Sequence, residues 1–156
     1  MNHLPEVFTY FVQMAYSVEH NEAILIEESL FGIEDEEIWD VLFSILRDTQ
    51  HHKVMLREII KITGIGAQIL SDERRETGWI KEFDHSDDFI TNIIGELLKW
   101  EKWSYRFYTR LGKMNLDELS HEIGSEAVNE IKSILERLIE WEKSHIDLIE
   151  DLISSL

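Results

Sequence analysis

The sequence contains no cysteine, which excludes disulfide bonds, thiolate zinc sites and iron–sulfur clusters. It has a single proline, Pro5, and no apolar run long enough to span a bilayer. The first residues, MNHLPEVFTY, lack the basic start and the apolar stretch of a signal peptide. The absence of a membrane-spanning run and of a signal peptide predicts a soluble, cytoplasmic chain, whereas the absence of cysteine says little about the compartment.

Basic residues are also scarce. The 32 acidic residues outnumber the 15 lysines and arginines, which gives a formal net charge of −17. A field of that sign repels nucleic acid and anionic lipid, so neither is expected as a partner, and it attracts cations. With 156 residues and 44% hydrophobic content, the chain is predicted to form one domain, 1–156, with a substantial core.

The lack of helix-breaking residues predicts an all-α fold, and no segment shows a strand pattern. Gly32 and the segment TGIG end two helical stretches, and Ser125 is the predicted cap of the last one. Residues 64–86 are read as a connection long enough to cross the length of a helix. This favours a ferritin-like four-helix bundle with a long crossover between helices 2 and 3, although an up-down-up-down bundle is also compatible. The four predicted helices are Pro5 to Phe31, Asp35 to Thr63, 87–113, and Ser125 to near the C-terminus.

Four acid-x-x-His pairs occur, and only two of them fall on apolar helix stripes. In the last helix, Glu142 and His145 continue a row of apolar residues spaced by three and four. In the second helix, Asp48 takes the equivalent place, followed by His51 or His52, with the three-residue spacing favouring His51. The pairs Glu82/His85 and Glu118/His121 lie in predicted connections and are interpreted as surface residues.

The other two helices each offer an acid on an apolar row. Glu19 and Glu22 lie on the stripe of the first helix, where Asp48 is expected to be level with Glu19. In the third helix, Glu101 lies on one apolar row and Glu96 on a competing one; Glu101 is preferred. Glu22 is interpreted either as an extra ligand or as a solvated acid.

Burying a carboxylate in each of four helices costs several kcal/mol per unpaired charge. Mutual pairing of the acids and histidines would relieve that cost and give a structural polar layer. Two divalent ions would relieve it as well, since their four positive charges balance four carboxylates. Oxygen and imidazole ligands without sulfur suit iron or manganese, with zinc as a competitor.

These segments resemble the ferritin-like superfamily, most closely its rubrerythrin-type branch. LRDTQHHKVML and IEWEKSHIDLI resemble the family's two E-x-x-H segments, WEKWSYRFY its third-helix segment, and YSVEHNEA, less specifically, its first-helix segment. The resemblance covers the four helices. It implies a di-iron site with Asp48 and Glu142 as bridging ligands. The terminal ligands that it implies are Glu19, Glu101, His51 and His145.

The chain departs from that pattern in three ways. Asp48 replaces a glutamate, His52 follows His51, and the cysteine-ligated rubredoxin module of rubrerythrins is missing. The resemblance implies reduction of peroxide or dioxygen at a two-metal site, and because the rubredoxin module is missing, the electrons are expected to come from an external donor. Tyr16 and Tyr108 flank the proposed site and are candidates for contacting the oxidant or supplying an electron, or are ordinary core residues.

Two other functions are compatible with the sequence. One is oxidation and storage or handling of ferrous iron, and the other is a metal-free helical bundle that acts through protein contacts. The face of the third helix opposite Glu101 carries the aromatic residues Trp100, Trp103 and Phe107. These side chains are expected to be buried by the crossover, through Trp79 and Ile80, or by a second subunit. A homodimer is predicted on that basis.

Overall fold

The computed structural model describes residues 4–64 and 87–156, and the regular structure in these ranges is helical. The residues between them include the predicted crossover, the Glu82/His85 pair, Trp79 and Ile80, so the predictions made for these residues lie outside the described part of the chain. Within the described ranges, no helix is both long and apolar enough to cross a membrane. The helices are α1 (Leu4–Leu30), α2 (Glu36–Thr63), α3 (Asp87–Lys113), α4 (Asp117–Ile123) and α5 (Ser125–Ser155).

The ends of α2 follow from local chemistry. Asp35 caps its N-terminus, where the carboxylate accepts a hydrogen bond of 3.0 Å from the backbone N–H of Ile38. Gly64 ends the helix in the left-handed conformation, with φ of 62°, which a glycine adopts without a steric penalty.

The segment between α3 and α5 differs from its prediction as a plain connection. It contains α4, which buries Leu116 and Leu119 in the core and leaves Glu118 and His121 exposed, as predicted for that pair. The expected cap at Ser125 is wrong, because Ser125 is already helical and Gly124, with φ of 92°, occupies the cap position.

Contacts between side chains define the helix directions. Thr9 contacts Thr63, and Glu19 approaches His52, so α1 and α2 are antiparallel. The pairs Asp48–His145 and His52–Glu142 show that α2 and α5 are antiparallel too.

Helix α3 is also antiparallel to α5, because Glu101 contacts His145 and Gly112 lies beside Ile139. Since α2 and α3 are each antiparallel to α5, they run in the same direction. The end of α2 at Gly64 and the start of α3 at Asp87 therefore lie at opposite ends of the helical assembly.

Apolar residues form two separate buried clusters. The first contains Phe8, Leu56 and Leu135, and the second contains Ile26, Ile45 and Ile149. In α1, α2 and α5, the sequence between the two clusters carries the buried acids and histidines. The core is thus apolar at both ends and polar in the middle.

We predict that Leu119→Ala lowers the free energy of unfolding by about 2–4 kcal/mol, because Leu119 is fully buried and its truncation leaves a cavity. The neighbouring Glu118→Ala, at an exposed position, should change it by no more than about 0.5 kcal/mol. Urea unfolding of both variants measures the difference, and equal effects would contradict the packing of α4.

Candidate metal centre

Seven buried acidic and imidazole side chains meet between the two apolar clusters. Four of the acids are only 1% exposed, and the two imidazoles are 0% and 3% exposed. Asp48 is the most exposed of the set, at 9%. The seven are Glu19, Glu22, Asp48, His52, Glu101, Glu142 and His145.

Helical periodicity explains most of these positions. In α5, every residue of the predicted row that contains Glu142 and His145 is buried, from Val128 to Leu152. In α3, Glu101 is buried, whereas Glu96 lies on the outer side and pairs with Lys99 at 2.9 Å. The prediction that Glu101, and not Glu96, is the buried acid of this helix is therefore confirmed.

The prediction of His51 as the inner histidine is wrong. His51 is exposed and stacks on Trp141, whereas His52 is fully buried. The buried row of α2 runs through Ile45, Thr49, His52, Leu56 and Ile59, with steps of four and three. The predicted row through His51 and Met55 lies one residue, or about 100°, away from it.

This shift changes the motif on α2. The inner histidine is preceded at the three-residue spacing by Thr49, not by an acid, so the acid-x-x-His pattern of α5 is not repeated on α2. It also changes which residue of α2 lies beside Glu19 of α1. Asp48 was expected there, but His52 occupies that position. The steps of four and three from Ile45 to Ile59 were the available signal for His52.

His52 lies at the centre of one half of the cluster. Its Nδ1 is 2.9 Å from Glu142 Oε1 and 3.4 Å from Glu19 Oε1. These approaches lack hydrogen-bond geometry, and both ring nitrogens of His52 and both oxygens of Glu142 are buried without a hydrogen-bond partner among the described residues. Ligand atoms of His52, Glu142 and His145 lie within 4.8 Å of one another, close enough to surround one ion.

His145 lies in the other half and contacts two carboxylates. Its Nδ1 is 3.2 Å from Glu101 Oε2, and its Nε2 is 3.0 Å from Asp48 Oδ2. Glu22 lies close enough to Glu101 for their charges to interact, and neither of its buried oxygens accepts a hydrogen bond from a donor group in the described ranges. The position of Glu22 was left open by the sequence, and the structure places it inside.

The buried acids repel one another. Burial, followed by the charge of a neighbouring glutamate, raises the pKa of Glu22, Glu101 and Glu142 well above the usual range. Burial also opposes ionisation of Glu19, but His52 beside it outweighs that effect and lowers its pKa. Without a cation, the group therefore favours the neutral form of these three acids over full ionisation.

The imidazoles respond in opposite ways. Burial disfavours a charged ring in both, yet the adjacent Glu19 raises the pKa of His52, whereas burial dominates at His145 and lowers its pKa. A neutral His145 has one N–H and one lone pair, which is the form that can bind a metal.

The two candidate tyrosines have different surroundings. The Tyr108 hydroxyl donates a hydrogen bond of 2.7 Å to Glu19 Oε1, which ties it directly to the cluster. Burial and the charge of Glu19 raise the pKa of Tyr108 well above its ordinary value, so it stays protonated. The Tyr16 hydroxyl accepts a hydrogen bond of 2.6 Å from Arg57, and Lys53 lies over its ring.

No known protein family, curated protein or solved structure matches this chain. The chemical interpretation of the site therefore depends on its own geometry.

The raised pKa values predict a pH-dependent stability for the metal-free protein. A carboxyl group with a raised pKa in the folded state stabilises the fold below its unfolded pKa, near 4.5, and loses this contribution as the pH rises through the folded value. Glu22, Glu101 and Glu142 act in this direction, as does His52 with its raised pKa. Glu19 and His145, whose pKa values are lowered, act against them. We expect the melting temperature of chelator-treated protein to fall as the pH is raised from about 4.5 towards 8.

Glu22→Gln should flatten that dependence, because the amide does not titrate. Glu27→Gln on the exposed side of the same helix is the matched control and should leave it unchanged, which separates the buried site from repulsion among surface acids. Parallel curves for the wild type and both variants would contradict the assignment.

Proposed function

We propose that this protein is a di-iron carboxylate protein of the ferritin-like, rubrerythrin type, which reduces peroxide or dioxygen with electrons from an external donor. The observation that carries the proposal is the buried set of carboxylates and imidazoles whose polar atoms lack partners. Buried polar atoms in folded proteins nearly always have hydrogen-bond partners. The buried oxygens of Glu22 and Glu142 accept no hydrogen bond from an N–H or hydroxyl group of the described residues and face other acidic side chains and the His52 ring, which indicates a missing cation.

The donor set fits two divalent cations. When fully ionised, the five buried carboxyl groups carry five negative charges, and the Arg47 guanidinium, 3.2 Å from Asp48, balances one of them. The remaining four match two divalent ions, whose binding would release the protons that the raised pKa values favour, and His52 and His145 would then supply neutral nitrogen donors. Oxygen and nitrogen donors without sulfur suit iron or manganese, with zinc as a competitor. The proposed ligands are Glu19, Glu22, His52, Glu101, Glu142 and His145.

The helix directions support the ferritin-like bundle. In this interpretation α1, α2, α3 and α5 are the four bundle helices and α4 is a short addition. Antiparallel contacts between neighbours, together with parallel α2 and α3, are what a bundle with one long crossover between its second and third helices requires. All four of these helices contribute to the centre.

The proposed ligand set differs from the one that the resemblance implies. The family pattern places an acid three residues before each histidine, but Thr49 takes that place on α2. We propose that Glu22 supplies the missing carboxylate from α1, because its two oxygens are buried beside Glu101 and accept no hydrogen bond from an N–H or hydroxyl group of the described residues. The number of carboxylates is thereby kept, while their distribution among the helices changes.

When bound, two ferrous ions would supply the two electrons that reduction of a peroxide requires. The helices hold the ligand side chains in place, and the surrounding apolar residues keep water out. Tyr108 fixes Glu19 through its hydrogen bond and presents a protonated hydroxyl beside the centre. The apolar clusters above and below make the site dry, which strengthens each electrostatic interaction inside it.

The acidic surface favours a second function, oxidation of ferrous iron for storage or transfer. A net charge of −17 concentrates cations at the protein surface. Turnover distinguishes the two functions, since a reductase consumes oxidant repeatedly when a reductant is added. A storage protein takes up iron in large multiples of its site capacity.

An anaerobic ferrous titration followed by addition of peroxide tests the proposal. We expect binding to saturate at two ions per chain and peroxide to bring up ferric absorption, because four carboxylates and two imidazoles complete two sites. Repeated peroxide consumption with an added reductant would support the reductase. A protein that binds no metal would instead act as a metal-free bundle, and the proposal would fail.

The histidine assignment gives a matched pair of variants. His52→Gln should lower ferrous affinity by more than about tenfold. Even the loss of a residue that only hydrogen-bonds a metal ligand typically lowers metal affinity by about 10- to 100-fold. His51→Gln, one residue away and exposed, should leave the affinity and the stoichiometry unchanged. Both variants are checked for folding by thermal unfolding, and the reverse ranking would show that His51 is the ligand.

A further inference from the structure

Asp48 stands apart from the other acids of the centre. It is 9% exposed, whereas Glu19, Glu22, Glu101 and Glu142 are each 1% exposed. It also has a cation of its own, because Nε and one terminal nitrogen of Arg47 lie 3.3 and 3.2 Å from its Oδ1. The Arg47 side chain is 61% exposed, so this contact approaches Asp48 from the solvent side.

The second oxygen of Asp48 faces the ring of His145. Oδ2 lies 3.0 Å from Nε2, while the opposite nitrogen of the same ring, Nδ1, lies 3.2 Å from Glu101 Oε2 in the interior. One side of the imidazole therefore faces the proposed ligands and the other faces Asp48. Both Asp48 oxygens take part in hydrogen bonds, whereas the oxygens of Glu22 and Glu142 accept none from an N–H or hydroxyl group of the described residues.

A histidine that binds a metal through one nitrogen almost always donates its other N–H to a carboxylate or carbonyl, which fixes the tautomer and the ring orientation. The Asp48–His145 contact has that arrangement. A proton on Nε2 donated to Asp48 leaves the lone pair of Nδ1 directed towards the centre.

We propose that Asp48 is a positioning residue that holds His145 in the Nε2–H tautomer, and that Arg47 holds Asp48, so that Asp48 is not itself a metal ligand. The proposal rests on the proposed function for the metal, but its central contact exists without one. It replaces the implied bridging role of Asp48. It also gives the shorter aspartate side chain a function at the edge of the site.

The metal-free test is nitrogen NMR of the histidine rings. In the wild type we expect the His145 ring to show a protonated Nε2 and an unprotonated Nδ1. Asp48→Ala should abolish this single tautomer, and Asp48→Asn should keep it, because the amide oxygen still accepts from Nε2–H. Asp40→Ala, at an exposed position on the same helix, is the control and should not change the ring signals.

A wild-type ring that is protonated on Nδ1, or one that does not respond to Asp48→Ala, would overturn the proposal. A merely structural role for Asp48 would change the melting temperature without changing the tautomer. The NMR experiment tests the role of Asp48 even if the protein binds no metal. Failure to bind metal would contradict the proposed function but would leave the tautomer result unaffected.

The metal-dependent test is a ferrous titration of the same variants. Asp48→Ala should keep two ions per chain with affinity lowered by about 10- to 100-fold, the usual effect of removing an outer partner, and Asp48→Asn should recover most of that loss. Glu142→Gln, which changes a proposed ligand, should lower the number of ions bound per chain. A fall to one ion per chain in Asp48→Asn would show that Asp48 is a ligand and overturn the proposal.

Discussion

The mutual repulsion of buried carboxylates is the constraint on which the rest of this structure depends. Glu19, Glu22, Glu101 and Glu142 lie together with almost no access to water, and an unpaired buried charge costs several kcal/mol. Protonation relieves part of that cost, which is why three of these groups have raised pKa values. The proposed cations would relieve it more fully, and the ligand atoms of His52, Glu142 and His145 lie within 4.8 Å of one another, close enough to surround one such ion.

The rest of the fold contributes to holding this polar layer together. Apolar clusters on either side bury hydrophobic side chains, which stabilises the fold and opposes the cost of the internal polar layer. Antiparallel packing of α5 against both α2 and α3 brings His52, Glu101 and Glu142 to one level. The layer therefore depends on packing contacts at some distance from it, and its geometry is supported by rigid helices.

The centre is not symmetrical. On the inner side, His52 and Glu142 have no hydrogen-bond partners among the described residues, whereas on the outer side Asp48 is held between Arg47 and His145. Both oxygens of Asp48 take part in hydrogen bonds, whereas those of Glu142 accept none from an N–H or hydroxyl group of the described residues and only approach His52, so the two buried acids are suited to different roles. This difference separates a residue suited to bind an ion from one suited to orient a ligand.

Sequence periodicity located the inner row of α5 correctly, because each residue of that row from Val128 to Leu152 is either clearly apolar or belongs to the Glu142/His145 pair. It was less successful on α2, where consecutive histidines differ by about 100° around the helix and the apolar residues Met55 and Leu56 allow either row. Spacing alone favoured His51. The packing of α2 against α1 and α5 buries His52.

The sequence by itself determined the helical class, the approximate helix bounds and the presence of acids and histidines on inner rows, because these depend on local propensity and on a period of 3.6 residues. Only the tertiary structure decided which atoms face one another. The level at which α1 meets α2, the burial of Glu22 and the pairing of Asp48 with His145 each depend on how one helix is shifted along and rotated against another. That shift is set by packing over the whole length of the helices, which the pattern of a single helix does not contain.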